Sequence, residues 1–381
     1  MLDILLSYES LRVIWWCLLG ALLIGFAIMD GFDLGVATLL PFIAKTEEER
    51  RSVLHTVAPY WEGNQVWLLL GGGAIFAAWP AVYAVSFSAL YLVLFLLLLA
   101  IILRPISFIF REKIQNKIWK RVWAYTHFVA GIVPAVLAGV AVGNVILGIP
   151  FSISAEDLSI TYSGTFLALL NPYALFIGLI SLVMLVTQGA IYSALKTEGN
   201  IAIRSAKIAN KAVFLLLFLY VIASIVSMFF IEGYVLGSTM AHNAPSNPLH
   251  KVVLKQRGAL YHNFIKLYWP LLAPILVISG IFFTSIFLKS KAFVKAFISN
   301  SVTILGIVAT AGVTTFPFIL PSSSDLISSL TVWDSSSSKL TLRLMLVVTI
   351  VFIPIIIFYT SWMFHVLRGK ISIQDAQDIE Y

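Results

Sequence analysis

An all-α integral membrane protein of about nine transmembrane helices is the fold this sequence predicts, and three observations carry the prediction. Hydrophobic residues make up 60% of the 381 and charged residues only 11%. Mean hydropathy is +0.96, a value no soluble domain of this length could hold without presenting apolar surface to water. Ile, Leu, Val and Phe run in stretches of about 20 residues or more, enough to cross about 30 Å of hydrocarbon at about 1.5 Å per residue. Those stretches lack the alternating polarity of barrel strands, so helices are the spanning elements.

The apolar runs fall at 13–43, 53–78, 80–103, 121–147, 164–195, 208–231, 263–288, 297–320 and 341–366. Trp79-Pro80 makes the second connection a tight turn, whereas Glu232 to Tyr261 and Pro321 to Lys339 form the longest polar connections. Pro59, Pro134, Pro172, Pro270, Pro317 and Pro354 predict bent helices. An echo between Ile28-Met29-Asp30-Gly31 and Val186-Thr187-Gln188-Gly189 suggests a parallel repeat of two four-helix bundles plus one peripheral helix. The expected division of the single membrane domain is therefore a first half at 1–147, a second at 148–320, and a last loop, ninth helix and cytoplasmic tail at 321–381.

Of the 25 Lys and Arg, 18 lie in the loops after spans one, three, five and seven or in the C-terminal tail. The positive-inside rule then puts the N-terminus outside and the C-terminus in the cytoplasm. The segment Met1 to Ser10 carries two acids and no base, unlike a secretory signal, so the first span is expected to stay attached. Cys17 is the single cysteine, which excludes an intrachain disulfide and a thiolate cluster supplied by this chain alone. The net charge of +7 sits between apolar spans, where topology explains it better than nucleic acid does.

Ionisable residues at hydrocarbon depth are costly, so their positions are informative. Asp30 and Asp33, three apart in span one, share a helical face. Glu62 lies nine residues into the second run, or about 14 Å by helical rise. These three acids could form a proton path from the cytoplasm, or they could pair with Arg104 or Arg111 and hold helices together. The run Trp61-Glu62-Gly63-Asn64-Gln65-Val66-Trp67 is unusually polar for a span, and the following Gly71-Gly72-Gly73 suits close helix packing. Of six histidines, only His127 is expected well inside a span, so a complete two-ligand haem site within this chain is not expected. Arg12, Trp15 and Trp16 gather at the outer end of span one, where they could contact a quinone headgroup or lipid, or simply anchor the helix.

Several strings resemble the second subunit of the cytochrome bd-type ubiquinol oxidases. They are Met29-Asp30-Gly31-Phe32-Asp33-Leu34-Gly35, Ala58-Pro59-Tyr60-Trp61-Glu62-Gly63-Asn64-Gln65-Val66-Trp67, Phe76-Ala77-Ala78-Trp79-Pro80 and Leu103-Arg104-Pro105. Thr187-Gln188-Gly189, Ser246-Asn247-Pro248-Leu249, Phe316-Pro317-Phe318, Pro321-Ser322-Ser323 and Val332-Trp333-Asp334 extend the resemblance over essentially the whole chain.

That resemblance implies a heterodimer with a haem-bearing subunit I, holding two b-type haems and a d-type haem ligated mainly or wholly by that partner. Small accessory subunits and bound ubiquinone are further implied associates, in a bacterial inner membrane. The complex would oxidise quinol and reduce O2 to water, building a proton motive force without pumping. Within this subunit no catalytic residue and no metal ligand is expected. Glu62, followed by Asp33 and Asp30, would serve a cytoplasmic proton path, and Trp61, Gly63, Asn64, Gln65, Trp67 and Arg104 would be the structural motif around it. Two departures matter: Ile109 stands where some members carry an acid, and Tyr60 where some carry a histidine. Two rival readings remain, a proton-coupled secondary transporter acting alone and a scaffold subunit without a proton role.

Overall fold

The computed structural model describes residues 7–371, so the expected tail from residue 372 onward lies outside the described residues. Ser7 caps the first helix, its hydroxyl accepting from the Ser10 N–H, and α1 then runs for 36 residues as Tyr8–Ile43. That is about 54 Å of helix, longer than the hydrocarbon it crosses.

The second apolar run is a broken element. A Thr46–Glu49 capping box starts α2 at Glu47–Val57, a turn at residues 58–60 interrupts it, and α3 resumes as Trp61–Ala78. Pro59 lies in that turn; without an N–H it cannot continue the ladder of α2. The break is level with Phe32 and Asp33 of α1, since Tyr60 packs edge-on to Phe32 at 6.3 Å and Asn64 reaches Asp33.

The next crossing is α4, Pro80–Ala89, continued after a bend at Leu90 by α5, Tyr91–Lys113. Pro80 occupies the first turn of α4, where a missing N–H costs nothing. In α5 the buried residues Val93, Leu97, Ala100, Arg104, Ser107 and Arg111 recur every three or four positions, the signature of one face turned to the bundle. Asn116 caps α6, Lys117–Leu147.

A single-turn α7, Phe166–Leu169, leads to α8, Pro172–Lys196, capped by Asn171. The chain continues through α9, Gly199–Phe229, a short α10, His262–Leu267, α11, Leu272–Lys289, and α12, Phe293–Thr315. The final helix, α13, is Lys339–Val366.

Eight helices among the described residues are long and apolar enough to cross a membrane, and α3, with its polar start, makes the ninth crossing. Helices α1, α3, α5 and α6 form one bundle, and α8, α9, α11 and α12 the other, joined through α1 and α6 against α8. Only Leu342 of α13 is buried, so this helix lies outside both bundles.

Several expectations are corrected. The run 53–78 is two helices, the run 263–288 is interrupted by a 3-10 turn at Trp269–Leu271, and the run 297–320 ends as helix at Thr315. Of the six named prolines, only Pro134 and Pro354 lie inside helices. Pro172 starts a helix, and Pro59, Pro270 and Pro317 lie in turns or just beyond a helix. Pro41 and Pro105 are further helix-interior prolines.

Where the two bundles meet, the backbones of α1 and α8 touch. A Cβ at Gly35 would run into the Leu185 carbonyl oxygen, and one at Gly189 into the backbone of Gly35. Without hydrophobic drive between helices in lipid, small residues that allow this approach supply the packing.

The end of the molecule poor in bases is closed by a cap of three antiparallel two-stranded ladders. Strand β1, Phe151–Ile153, pairs with β2, Ile160–Tyr162; β3, Glu232–Leu236, with β4, Val253–Arg257; and β5, Phe318–Leu320, with β6, Leu330–Thr331. These connections read as loops in the sequence because each strand is only two to five residues long.

Candidate functional site: a charged cluster inside the first bundle

Helices α1, α3 and α5 bring four polar side chains together away from solvent. Arg104 of α5 donates from one Nη to Asp30 Oδ1 of α1 at 2.6 Å, with both side chains almost wholly buried. One turn along α1, Asp33 Oδ2 accepts from Asn64 Nδ2 of α3 at 2.8 Å. Asp30 Oδ2, Asp33 Oδ1 and two nitrogens of Arg104 are buried with no hydrogen-bond partner among the described residues. The cluster therefore holds two carboxylates, one guanidinium and spare hydrogen-bonding capacity in an otherwise apolar bundle. Beside it, His127 of α6 shares a 2.8 Å hydrogen bond with Ser107 Oγ, while Ser107 donates to the Arg104 carbonyl. Local sequence explains the placement: Asp30 and Asp33 share a face of α1, and Arg104 lies on the buried stripe of α5.

Glu62 does not join this cluster. It occupies the first turn of α3 rather than the middle of a continuous span. There the helix dipole favours a negative charge. It is exposed on this chain, as are Gly63, Val66, Leu69, Leu70, Gly73 and Phe76, which together make one lengthwise face of α3. Asn64, two residues on, points the opposite way into the bundle. Of the other motif residues, Trp61 packs edge-on to Phe108 at 6.4 Å and Trp67 lies against Gly25, leaving no room there for a Cβ. Gln65 has a buried Nε2 without a partner among the described residues, and Gly63 faces open space.

The Arg12 group is built as a clamp. Arg12 is fully buried, and its guanidinium donates to Ser336 Oγ at 2.8 Å, to Ser246 Oγ at 3.0 Å, and to the carbonyls of His242 and Ala244. It also stacks over the Tyr8 ring at 3.6 Å. Trp15 is buried and donates to the Leu342 carbonyl at 2.9 Å, and Trp16 meets Phe316 edge-on at 5.0 Å. These contacts tie α1 to the cap and to α13. The polar donors of Arg12 and Trp15 are engaged within the chain rather than turned toward a headgroup.

Sequence reasoning missed an aromatic cluster beneath Asp33. Phe32 stacks on Tyr192 at 4.1 Å, Tyr60 stacks on Phe364 of α13 at 4.7 Å, and Tyr192 donates to the Thr56 carbonyl at 2.7 Å. Lys196 reaches the Leu367 carbonyl from the same side. The contributing residues come from four separated segments, so no spacing in the sequence marks them as a unit.

A helical chain of this kind, with an ion pair locked inside one bundle and a carboxylate on an outward helix face, is a polytopic membrane protein. A family model described as cytochrome bd terminal oxidase subunit II matches residues 11–367. The chain is 41% identical over 375 residues to the cytochrome bd-I ubiquinol oxidase subunit 2 of Escherichia coli K12, covering 98% of each chain. It is 45% identical over 368 residues to a probable cytochrome oxidase subunit 2 of Haemophilus influenzae, covering 97% of each. The bd oxidase structure from Geobacillus thermodenitrificans matches the fold with a TM-score of 0.72 at 13% identity, over 94% of this chain and 98% of that one. The chain therefore belongs to the cytochrome bd terminal oxidase subunit II family. It is accordingly a multi-pass protein of the bacterial inner membrane and a subunit of a haem-containing oxidoreductase that includes a subunit I.

The six histidines of this chain lie on different elements. His127 has Nδ1 committed to Ser107, and its ring meets Phe108 edge-on at 6.2 Å. His55 belongs to α2, His242 and His250 to the cap loops, His262 to the start of α10 and His365 to the last turn of α13. Axial ligation needs two groups converging on one pocket, and these positions are spread over both ends of the molecule.

Proposed function

We propose that this chain seats the haem-bearing subunit I against the outward face of α3 and supplies, through Glu62, a carboxylate on the proton route from the cytoplasm to that partner. The observation that carries the reading is the exposure of Glu62 on a face otherwise made of Gly63, Val66, Leu69, Leu70, Gly73 and Phe76. Facing lipid, an ionised carboxylate costs about 2.5–3.5 kcal/mol or more. Facing a protein partner, the same group can meet donors and a water file, and can take up and release a proton. Asp33, with one unpartnered oxygen, is the nearer of the two supporting acids. Asp30, paired with Arg104, acts mainly by positioning.

In this reading the basic end, where the loops hold most Lys and Arg, is cytoplasmic and the ladder cap faces outward. The complex oxidises ubiquinol and reduces O2 to water, separating charge by topology without pumping. Two b-type haems and one d-type haem are ligated mainly or wholly by subunit I. Replacing Glu62 with Gln keeps the shape and removes the titrating group. The assembled Glu62→Gln complex should keep its haem spectrum and lose most of its quinol-driven oxygen consumption. Wild-type consumption in that variant overturns the proton role and leaves a scaffold subunit, the reading that the closed Asp30–Arg104 pair by itself would favour.

A further inference from the structure

At the basic end, a cavity of about 570 Å³ opens between the end of α1 and the start of α6. Its wall carries four bases, Arg50, Lys117, Lys120 and Arg121, against a single acid, Glu47. That acid is already committed, to Arg50 at 2.5 Å and to Arg111. Lys120 meets only the neutral Gln115, at 2.7 Å, and neither Lys117 nor Arg121 has an ion-pair partner among the described residues. The pocket is thus a concentration of uncompensated positive charge.

The same lining includes apolar surface from Leu40, Pro41, Ala124 and Tyr125. From there Val122, Tyr125 and Val129 continue along α6 as an exposed stripe spaced three and four residues apart, with Phe42 exposed beside it. Phe42 and Phe128 pack edge-on at 6.2 Å, forming a side wall. Trp119 and Trp123 lie in edge contact at 5.6 Å in the first turns of α6, and tryptophans of this kind mark the headgroup level. Cations at headgroup level above an apolar track match one ligand, a phosphodiester carrying acyl chains.

We propose that this pocket binds an anionic phospholipid, its phosphodiester held by Lys117, Lys120 and Arg121 and its acyl chains lying along Tyr125, Val129 and Phe42. A free phosphate would use the bases but not the stripe. The proposal rests on the pocket's residues and the membrane setting of the chain, and not on the role of Glu62, so the two readings fail separately.

The test uses the complete complex in detergent, titrated with fluorescent phosphatidylglycerol and, in parallel, phosphatidylcholine. The Lys117→Gln/Arg121→Gln complex should bind phosphatidylglycerol about tenfold more weakly than wild type. Phosphatidylcholine binding should be unchanged. A complex with the same charge loss at exposed bases of α9, Lys207→Gln/Lys211→Gln, should bind as wild type, as should Glu62→Gln. Should the double variant fail to assemble, Lys117→Gln alone reports on the same pocket in the same direction. Equal phosphatidylglycerol affinity in the pocket variant overturns the proposal. Displacement of the lipid by inorganic phosphate at matching concentration overturns it as well, because the pocket would then recognise an anion without its acyl chains.

Discussion

Asp30 and Arg104 show how one residue pair can tie two helices, α1 and α5, while adding little net stability. Each charge loses its hydration in the bundle, and only the 2.6 Å contact with the other offsets that loss. Removing one partner leaves the other buried and uncompensated, which costs about 3–5 kcal/mol. Arg104→Met should therefore lower the thermal midpoint of the purified complex sharply and reduce its yield, followed by haem absorbance on heating. Pairing it with Asp30→Asn should recover much of the loss, because Asp33 is then the one buried acid left in the cluster and it keeps its hydrogen bond from Asn64. A double variant as unstable as the single would mean that Arg104 acts through its packing and not its charge.

Among the elements, the broken α2–α3 crossing and the α1–α8 seam decide where the functional groups stand. The turn at residues 58–60 lets α3 begin at the level of Asp33, which brings Asn64 to Asp33 and turns Glu62 outward. A straight helix through residues 53–78 would set a different phase for both. At the seam, the obstacle to a side chain on Gly35 is backbone, namely the Leu185 carbonyl and the Gly189 Cα, which cannot rotate away. Overpacking of this kind costs about 1–3 kcal/mol when side chains can yield, and more when they cannot. Gly35→Val should abolish accumulation of the assembled complex in membranes, assayed by haem content. Gly20→Ala, on the same helix with nothing within 4 Å of the new Cβ, should be neutral or slightly stabilising.

At the scale of the whole molecule, separate parts of the ladder cap are locked together by a buried ion pair outside the membrane-spanning helices. Lys251 Nζ lies 2.8 Å from Asp334 Oδ2, both side chains almost fully buried, and Asp334 Oδ1 accepts from the Thr331 N–H at 2.9 Å. Burial pushes the Asp334 carboxyl above the usual carboxylate range even against the attraction of Lys251, and holds the Lys251 ammonium below its usual range. A carboxyl with a raised folded-state pKa binds protons more tightly folded than unfolded. Its contribution to stability is present at low pH and is lost as pH rises through that pKa. Lys251→Met removes the charge in direct contact with Asp334, so its stability deficit should be small below the ordinary carboxylate range and grow as pH rises, reaching about 3–5 kcal/mol near neutrality. Adding Asp334→Asn keeps the acceptor for Thr331 and should erase the pH dependence. Thermal midpoints of the three complexes across that range would check this, and a deficit independent of pH would count against the argument.

Much of this protein is written along the chain because lipid enforces local rules. Apolar length specifies the crossings, the distribution of bases distinguishes the two ends, and motifs such as Asp30 with Asp33 and Trp61 to Trp67 announce the polar positions. The pairing of Asp30 with Arg104 rather than Arg111, the separation of Glu62 from the two aspartates, and the capture of Arg12 by the cap belong to tertiary structure. Each depends on the rotation of one helix relative to another, or on a loop folding back across more than two hundred residues. Hydrophobicity in a bilayer fixes that a helix spans; the rotation is chosen by backbone contacts at small residues and by which buried charges find partners.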